Sequence, residues 1–485
     1  MSEAIGAAAL REALLTLPEG TSHGGAPSPS HIYLPPSHVK ALNPDVQLVT
    51  GMRGAGKTFW WSALQDGAVR QVVGQAVQRP PLNEHTEVRT GFGVRPSPDE
   101  YPGADQLRGL LADFDPKCVW RTVLAWQFTR DEEHALRECG SWVTRTRYVA
   151  EHPDAVDRLF QERDAEFDWK GVHLLVLFDA LDRCADDWKQ MYRAIRGLLQ
   201  AALDLRSYKR LRVKIFLRSD QADDTQVSDF PDASRVLYSA VNLNWPRRDL
   251  YGLLWHCLGN GPRGNVLRAY LGGGDWPSVF ADKQRSFSVP RELVLDEDLQ
   301  QETFHRIAGR SMGGNHRRGR PYTWLANHLE DTGRGVSPRS FLAALRAAAD
   351  DTLQEHPAHE YALHHDSIRR GVRAASTIRV RELQEDYPWV HRVMSALAGM
   401  SVPLELEEIA ERWRDGGVLE ELGRQVEQHQ VKLPPRRLDA GAEGVRLDLE
   451  SLGVFQRLLD DRVNIRDVYR VGYGLGRRGG VKPYR

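Results

Sequence analysis

The sequence predicts an α/β fold: a central, mostly parallel sheet in the first half of the chain, followed by helical regions. Two observations carry this. Short apolar runs suited to buried strands alternate with helical stretches as far as about residue 258, the pattern of strand–helix–strand units. The run after His173, Leu174-Leu175-Val176-Leu177-Phe178, is continuously apolar rather than alternating, as a strand covered on both faces requires.

Composition bounds the function. The 485 residues suggest two to four domains, and 41% hydrophobic with 27% charged residues is the balance of a globular chain rather than a disordered one. No apolar stretch approaches the ~20 residues that span a bilayer. The start, Met1-Ser2-Glu3-Ala4, lacks the basic region and apolar core of a signal peptide. A cytoplasmic protein without a membrane role is expected. Lys plus Arg (65) balance Asp plus Glu (66), so any nucleic-acid contact must come from a local patch. Of those bases only 10 are lysines, a bias that genomic base composition explains. Cys118, Cys139, Cys184 and Cys257 form no C-x-x-C pair, which argues against a zinc site or a disulfide framework and suits a reducing cytoplasm.

In chain order, residues 1–40 read as a flexible leader: a short amphipathic piece, 8–17, then a Gly/Ser/Pro/His stretch. The core is expected over 41–245, with a strand at 46–50, a glycine-rich turn and a helix at 58–66. An insertion is expected at about 85–165. The strand at 173–178 leads to a helix at 188–205, and further strands are predicted at 211–217 and 236–243. A helical lid follows over 246–365, with helices at 248–258, 290–308 and 338–354. The last unit, 366–485, shows helical runs at 387–399, 404–414 and 419–429. Short strands at 453–458 and 462–465 flank Asp460-Asp461, a winged-helix-like order.

The chemistry sits in Gly51-Met52-Arg53-Gly54-Ala55-Gly56-Lys57-Thr58, a match to the phosphate-binding pattern G-x-x-x-x-G-K-[ST] between a strand and a helix. Glycines let the backbone curl so that N–H groups face phosphate oxygens, and the helix start adds its positive end. The nucleotide-binding set is therefore Gly51, Arg53, Gly54, Ala55, Gly56, Lys57, Thr58 and Phe59. Lys57 is expected on the β- and γ-phosphates and Thr58 on Mg²⁺. Asp179, closing the second strand, is placed to hold Mg²⁺ through water. Asp182, three residues on, would orient the attacking water, although an aspartate there also suits a helix cap. Arg218 and Ser219 end the strand expected beside these two, where open α/β sheets bind ligands; Arg218 or Ser219 would sense the γ-phosphate, although an arginine at a strand end also suits solvent.

Together these residues resemble the additional-strand P-loop ATPases, especially the AAA+ and STAND groups. Phe178-Asp179-Ala180-Leu181-Asp182-Arg183-Cys184 is similar to the D-D-L-D-R-C segment of KAP ATPases, with Ala180 in place of the second aspartate. Val241-Asn242-Leu243-Asn244-Trp245 looks like the passage from core to lid in STAND and origin-recognition-type AAA+ proteins. Gly335-Val336-Ser337-Pro338-Arg339-Ser340-Phe341 resembles the lid segment whose arginine, sensor II, reaches the nucleotide; Arg339 is that residue here. Residues 59–173 put 115 positions between the two motifs, longer than the resemblance expects. Trp120, Trp126 and Trp142 within it suit either a partner surface or a buried core. Arg235, Arg247 and Arg248 are open candidates for an arginine finger.

The resemblance implies an ATP- and Mg²⁺-dependent ATPase that repositions its C-terminal modules, with self-association and an effector protein as partners. It is similar in outline to ATPases of bacterial conflict and antiphage systems. Two alternatives stay open: a nucleotide-gated scaffold with little turnover, and an ATP-dependent loader or regulator on DNA. The latter draws on the basic stretches 316–320 and 462–485, the second carrying a net charge of +5 from residue 461 before the terminal carboxylate.

Overall fold

The structure, a computed structural model, describes residues 5–19, 27–76, 82, 86–129, 134–185, 187–272, 274–281, 284–314, 316–331 and 335–477. The chain forms two compact units. One comprises Thr21–Asn244 and Val279–Ser286, the other Met1–Gly20, Trp245–Ser278 and Phe287–Arg485.

The first unit is built on five parallel strands: β1 (Leu48–Gly51), β2 (Thr86–Phe92), β3 (His173–Phe178), β4 (Leu211–Arg218) and β5 (Val241–Asn242), in the order β2-β3-β4-β1-β5. The strand before the glycine loop and the strand ending in Asp179 are thus separated by β4. Leu174 through Phe178 are fully buried, as the continuous apolar run predicts. The helix Trp188–Asp204 joins β3 to β4. Asp187 caps its first turn by accepting from the Gln190 N–H at 2.8 Å. Its buried face, Met191, Ile195, Leu198, Leu199 and Ala202, follows helical spacing. Between β2 and β3 stand the helices Ala104–Asp113, Pro116–Phe128, Trp142–Glu151 and Pro153–Lys170. Their tryptophans Trp120, Trp126 and Trp142 are core residues, each indole N–H donating to a backbone carbonyl (Ala194, Asp99 and Pro98).

The second unit is mainly helical. Tyr251 of helix Arg247–Asn260 stacks on Tyr322 (centroids 4.2 Å apart) and meets Phe304 and Phe341 edge-on. Helix Pro338–Glu355 lies against helix His365–Asp386, and Gly371 makes that contact possible: a Cβ there would stand 2.2 Å from the Ala344 carbonyl oxygen. Toward the C-terminus the order is helix Pro388–Ser395, strand Ser401–Val402, helices Leu406–Asp415, Val418–Glu427 and Gly441–Ser451, then strands Phe455–Arg457 and Val463–Ile465. The last two pair antiparallel, and Leu404 bridges antiparallel to Val463 on the other side.

Several expectations are corrected. Residues 236–243 are not one strand: helix Ala233–Leu237 runs into a turn in which Ala240 N–H donates to Leu237 O, leaving Val241–Asn242 alone in the sheet. The insertion does not start at 85, because Thr86–Phe92 is the edge strand of the core sheet. Parts of the leader are packed: Leu10, Arg11 and Leu14 are buried, as are Ile32, Tyr33 and His38, with Leu42 just beyond. The stretch 246–365 is not wholly helical, since strands Ser278–Ala281 and Gln284–Phe287 pair with each other.

Candidate phosphate-binding site

The carboxyl ends of β1, β3 and β4 bring together most of the residues singled out from the sequence. β1 delivers Gly51, and the loop through Gly56 turns into helix Lys57–Ala63. Gly54 (φ +79°) and Gly56 (φ +101°) hold left-handed backbone that a side chain would strain. Gly51 is needed for space, because a Cβ would lie 3.1 Å from that of Ala55 and 3.3 Å from that of Leu243. Ala55 is buried beneath the loop, Thr58 is exposed, and Arg53, Gly54, Gly56, Lys57 and Phe59 are half-buried. Phe59 meets Trp60 edge-on at 5.4 Å.

Lys57 folds back over the loop, its Nζ donating to the carbonyls of Gly51 and Met52 at 2.8 Å each. Burial lowers its pKa to about 8, with Arg218 pushing the same way; Asp179, Asp220 and Asp182 oppose the shift. Three carboxylates and one guanidinium therefore act on this ammonium. Asp179 is buried, and burial raises its pKa although a hydrogen bond from Thr58 and the charge of Lys57 favour the carboxylate. Its Oδ2 has no hydrogen-bond partner among the described residues. A buried carboxylate oxygen left unsatisfied beside a threonine hydroxyl is a hard-oxygen donor set of the kind Mg²⁺ takes. Thr58 and Asp179 fit that ion.

Asp182 is half-buried in the short turn Leu181–Arg183, where its charge acts on both Lys57 and Asp179. Ala180, between strand and turn, takes φ +58° and ψ +34°. The one departure from the KAP-like motif thus falls on a left-handed residue, a conformation that aspartate tolerates better than alanine. Arg218 faces Gly51 in the β1–β4 register. Its guanidinium is held by Asp220, Nε to Oδ1 and Nη2 to Oδ2 at 3.0 Å each. Ser219 Oγ accepts from Asn242 Nδ2 at 3.5 Å.

The other candidates have partners within their own units. Arg339 belongs to the second unit and pairs with the buried Glu382 (2.5 Å), which Arg379 also contacts at 3.3 Å. Arg235 pairs with Asp232, Arg248 lies 3.7 Å from Asp249, and Arg247 sits over the Tyr322 ring. In the basic C-terminal region the described arginines carry carboxylate partners: Arg462 with Asp460, Arg466 with Glu330, and Arg470 and Arg477 with Asp467. Arg478, Lys482 and Arg485 lie outside the described residues.

Two residues that sequence reasoning missed support the site from behind. His38 is fully buried; its Nδ1 accepts from Trp60 Nε1 at 3.1 Å, so its Nε2 carries the proton donated to Asn244 O at 3.1 Å. It ties the segment before β1 to the loop helix and to the end of the core. Lys214 in β4 is fully buried and gives its three protons to the carbonyls of Ala41, Asn43 and Val46, at 2.7, 2.9 and 2.7 Å. Its only sequence signal is a lysine inside an apolar strand.

No family model matches the chain, and no curated protein matches it. Among solved structures it is similar to the crystal structure of Cdc6p from Pyrobaculum aerophilum, at 11% identity over 93% of each chain with a TM-score of 0.32. It is also similar to the ORC2 protein of Aeropyrum pernix, solved as ADPNP–ADP complexes, at 12% identity over 92% of this chain and 98% of that one with a TM-score of 0.31.

Proposed function

We propose that the chain is a regulatory ATPase of the AAA+/STAND kind, binding ATP at residues 51–59 and hydrolysing it to change the arrangement of its C-terminal modules. The observation that carries this reading is the meeting of Lys57, the unsatisfied Asp179 Oδ2, Asp182 and Arg218 at adjoining strand ends. A triphosphate replaces the two loop carbonyls as the partner of Lys57, and its negative charge restores the ammonium. Thr58 and Asp179 hold magnesium, which when bound neutralises charge on the phosphate oxygens. Asp182 accepts a hydrogen bond from the water that attacks the γ-phosphorus, ADP leaving as the Pγ–O bond breaks, and Arg218 offers charge to the γ-phosphate oxygens once its grip on Asp220 loosens. Most of the acceleration comes from positioning and charge, with little covalent work by the protein.

In this reading Arg339 acts only when its pair with Glu382 opens. Because Glu382 sits on helix His365–Asp386, opening that pair is one way to pass nucleotide state toward the C-terminal module. The helix–strand–helix order with the Leu404–Val463 bridge supports reading that module as a winged helix. Its helix Gly441–Ser451 has Arg446 paired with Glu443 and Glu450, and the hairpin pairs Arg457 with Asp461. These pairs favour a packing and regulatory role over a DNA-reading one. Self-association, an effector partner and a place in antiphage defence belong to the proposal through the resemblance.

Steady-state phosphate release tests the reading. Wild type should turn over ATP only with Mg²⁺, Asp179→Asn should lose the magnesium dependence together with turnover, and Asp182→Asn should bind nucleotide normally but hydrolyse at least about a hundredfold more slowly. Unchanged turnover in both variants contradicts it, and tight binding with no turnover in wild type favours the gated scaffold.

A further inference from the structure

The turn between helices Pro338–Glu355 and His365–Asp386 gathers chemistry that the nucleotide reading does not use. Four histidines, His356, His359, His364 and His365, and Asp366 fall within eleven consecutive residues. The His364 ring centroid lies 3.7 Å from that of His356, 4.8 Å from that of His359 and 4.1 Å from that of His365. Donor atoms of His364, His365 and Asp366 all stand within 4.8 Å of one another, which singles them out among the described residues. All five side chains are half-buried, so an ion can enter from solvent.

The turn is held in shape by buried groups. The Arg11 guanidinium, 2% exposed, donates Nε to Ala362 O and Nη1 to Pro357 O at 3.1 Å, and Nη2 to Tyr361 O at 3.3 Å. The His364 N–H donates to Thr352 Oγ1 at 3.1 Å, and the His359 N–H closes a turn onto His356 O at 3.0 Å. Asp366 gives one oxygen, Oδ1, to Arg369 at 2.6 Å and leaves Oδ2 3.6 Å from His365 Nε2. The His364 Nδ1 accepts the Asp366 N–H at 3.3 Å, a long bond that a metal can displace.

We infer that this turn is a binding site for a divalent transition-metal ion of the zinc class, with His364, His365 and Asp366 as ligands and His356 or His359 completing the shell. Imidazole nitrogens with one carboxylate are the donors Zn²⁺ accepts in four-coordinate sites, whereas Mg²⁺ prefers oxygen throughout. The site shares no residue with the phosphate loop. A metal there ties the end of helix Pro338–Glu355 to the start of His365–Asp386, so its role is structural.

Cobalt is the probe. Full-length, chelator-treated protein titrated with Co²⁺ should develop the intense visible bands of four-coordinate cobalt, saturating at about one ion per chain. Zn²⁺ should bleach them, excess Mg²⁺ should not, and Zn²⁺ should raise the melting temperature. The double variant His364→Ala, His365→Ala should lose the bands, while a control pair in the first unit, His134→Ala with His152→Ala, keeps them. Should the first pair not fold, Asp366→Asn decides: zinc affinity should fall about ten- to a hundredfold. Lys57→Ala should retain the bands, which separates this test from the nucleotide reading. The inference is overturned if wild type gives no four-coordinate spectrum, if the bands survive the double variant, or if Asp366→Asn binds zinc as wild type does.

Discussion

Arg218 and Asp220 grip one another through both edges of their planar groups, Nε to Oδ1 and Nη2 to Oδ2 at 3.0 Å. Because Arg218 faces Gly51 across the β1–β4 register, this pair keeps a guanidinium charge-balanced beside the glycine-rich loop. An incoming phosphate must compete with Asp220. Asp220→Asn should therefore tighten binding of a non-hydrolysable ATP analogue by about three- to tenfold, the scale of a partly exposed ion pair, while lowering turnover because Arg218 loses its orientation. Calorimetry beside steady-state kinetics reads both effects, and weaker binding in the variant rules out the competition.

Lys57 makes binding depend on pH. Burial, and next Arg218, lower its pKa to about 8, so the unliganded lysine gives up its proton through that pH. A polyanion favours the charged form. Binding should take up a proton above about pH 8, and affinity should fall by up to about tenfold per pH unit beyond it. Titrations near pH 7 and pH 9, in buffers of different ionisation enthalpy, detect both the uptake and the loss. Lys57→Arg should flatten the dependence; an equally steep fall in that variant assigns it to another group.

His38 makes the fold acid-sensitive. Burial lowers its pKa to about 4 from 6.5, against a smaller opposing contribution from its bond to Asn244. Between those values the unfolded chain binds more protons than the folded one, so stability is full above pH 6.5 and falls as pH drops toward 4, by on the order of 3 kcal/mol. His38→Phe should be less stable near pH 7, with Trp60 Nε1 and Asn244 O left unpaired, and should lose less between pH 6.5 and 4. Urea melts at several pH values measure the slopes; equal slopes in the two proteins place the acid sensitivity elsewhere.

The strand, glycine-rich turn and helix around residues 48–63 and the strand before Asp179 were legible because they depend on local signals: glycines at a turn and an unbroken apolar run. Strand β2 was not, because Glu87 and Arg89 give it a polar look; within the fold they satisfy each other at 2.7 Å, and Arg89 also reaches the Gln127 carbonyl. Helix His365–Asp386 was hidden for a different reason. Its buried face interleaves the apolar Ile368, Val372, Val380 and Leu383 with small residues, Gly371, Ala375 and Ser376, and with the charged Arg379 and Glu382, which breaks up the apolar pattern. His38 and Lys214 carry no motif at all, and their roles follow from carbonyls and an indole brought to them by distant segments.

All of the proposed chemistry requires a triphosphate at the loop of residues 51–58. Isothermal titration with a non-hydrolysable ATP analogue and Mg²⁺, on wild type and Lys57→Ala, tests it most directly. Wild type should bind saturably at about one nucleotide per chain, and Lys57→Ala, still folded, should lose at least about a hundredfold in affinity, roughly 3 kcal/mol. Equal affinity in the two proteins, or no binding by wild type, contradicts it.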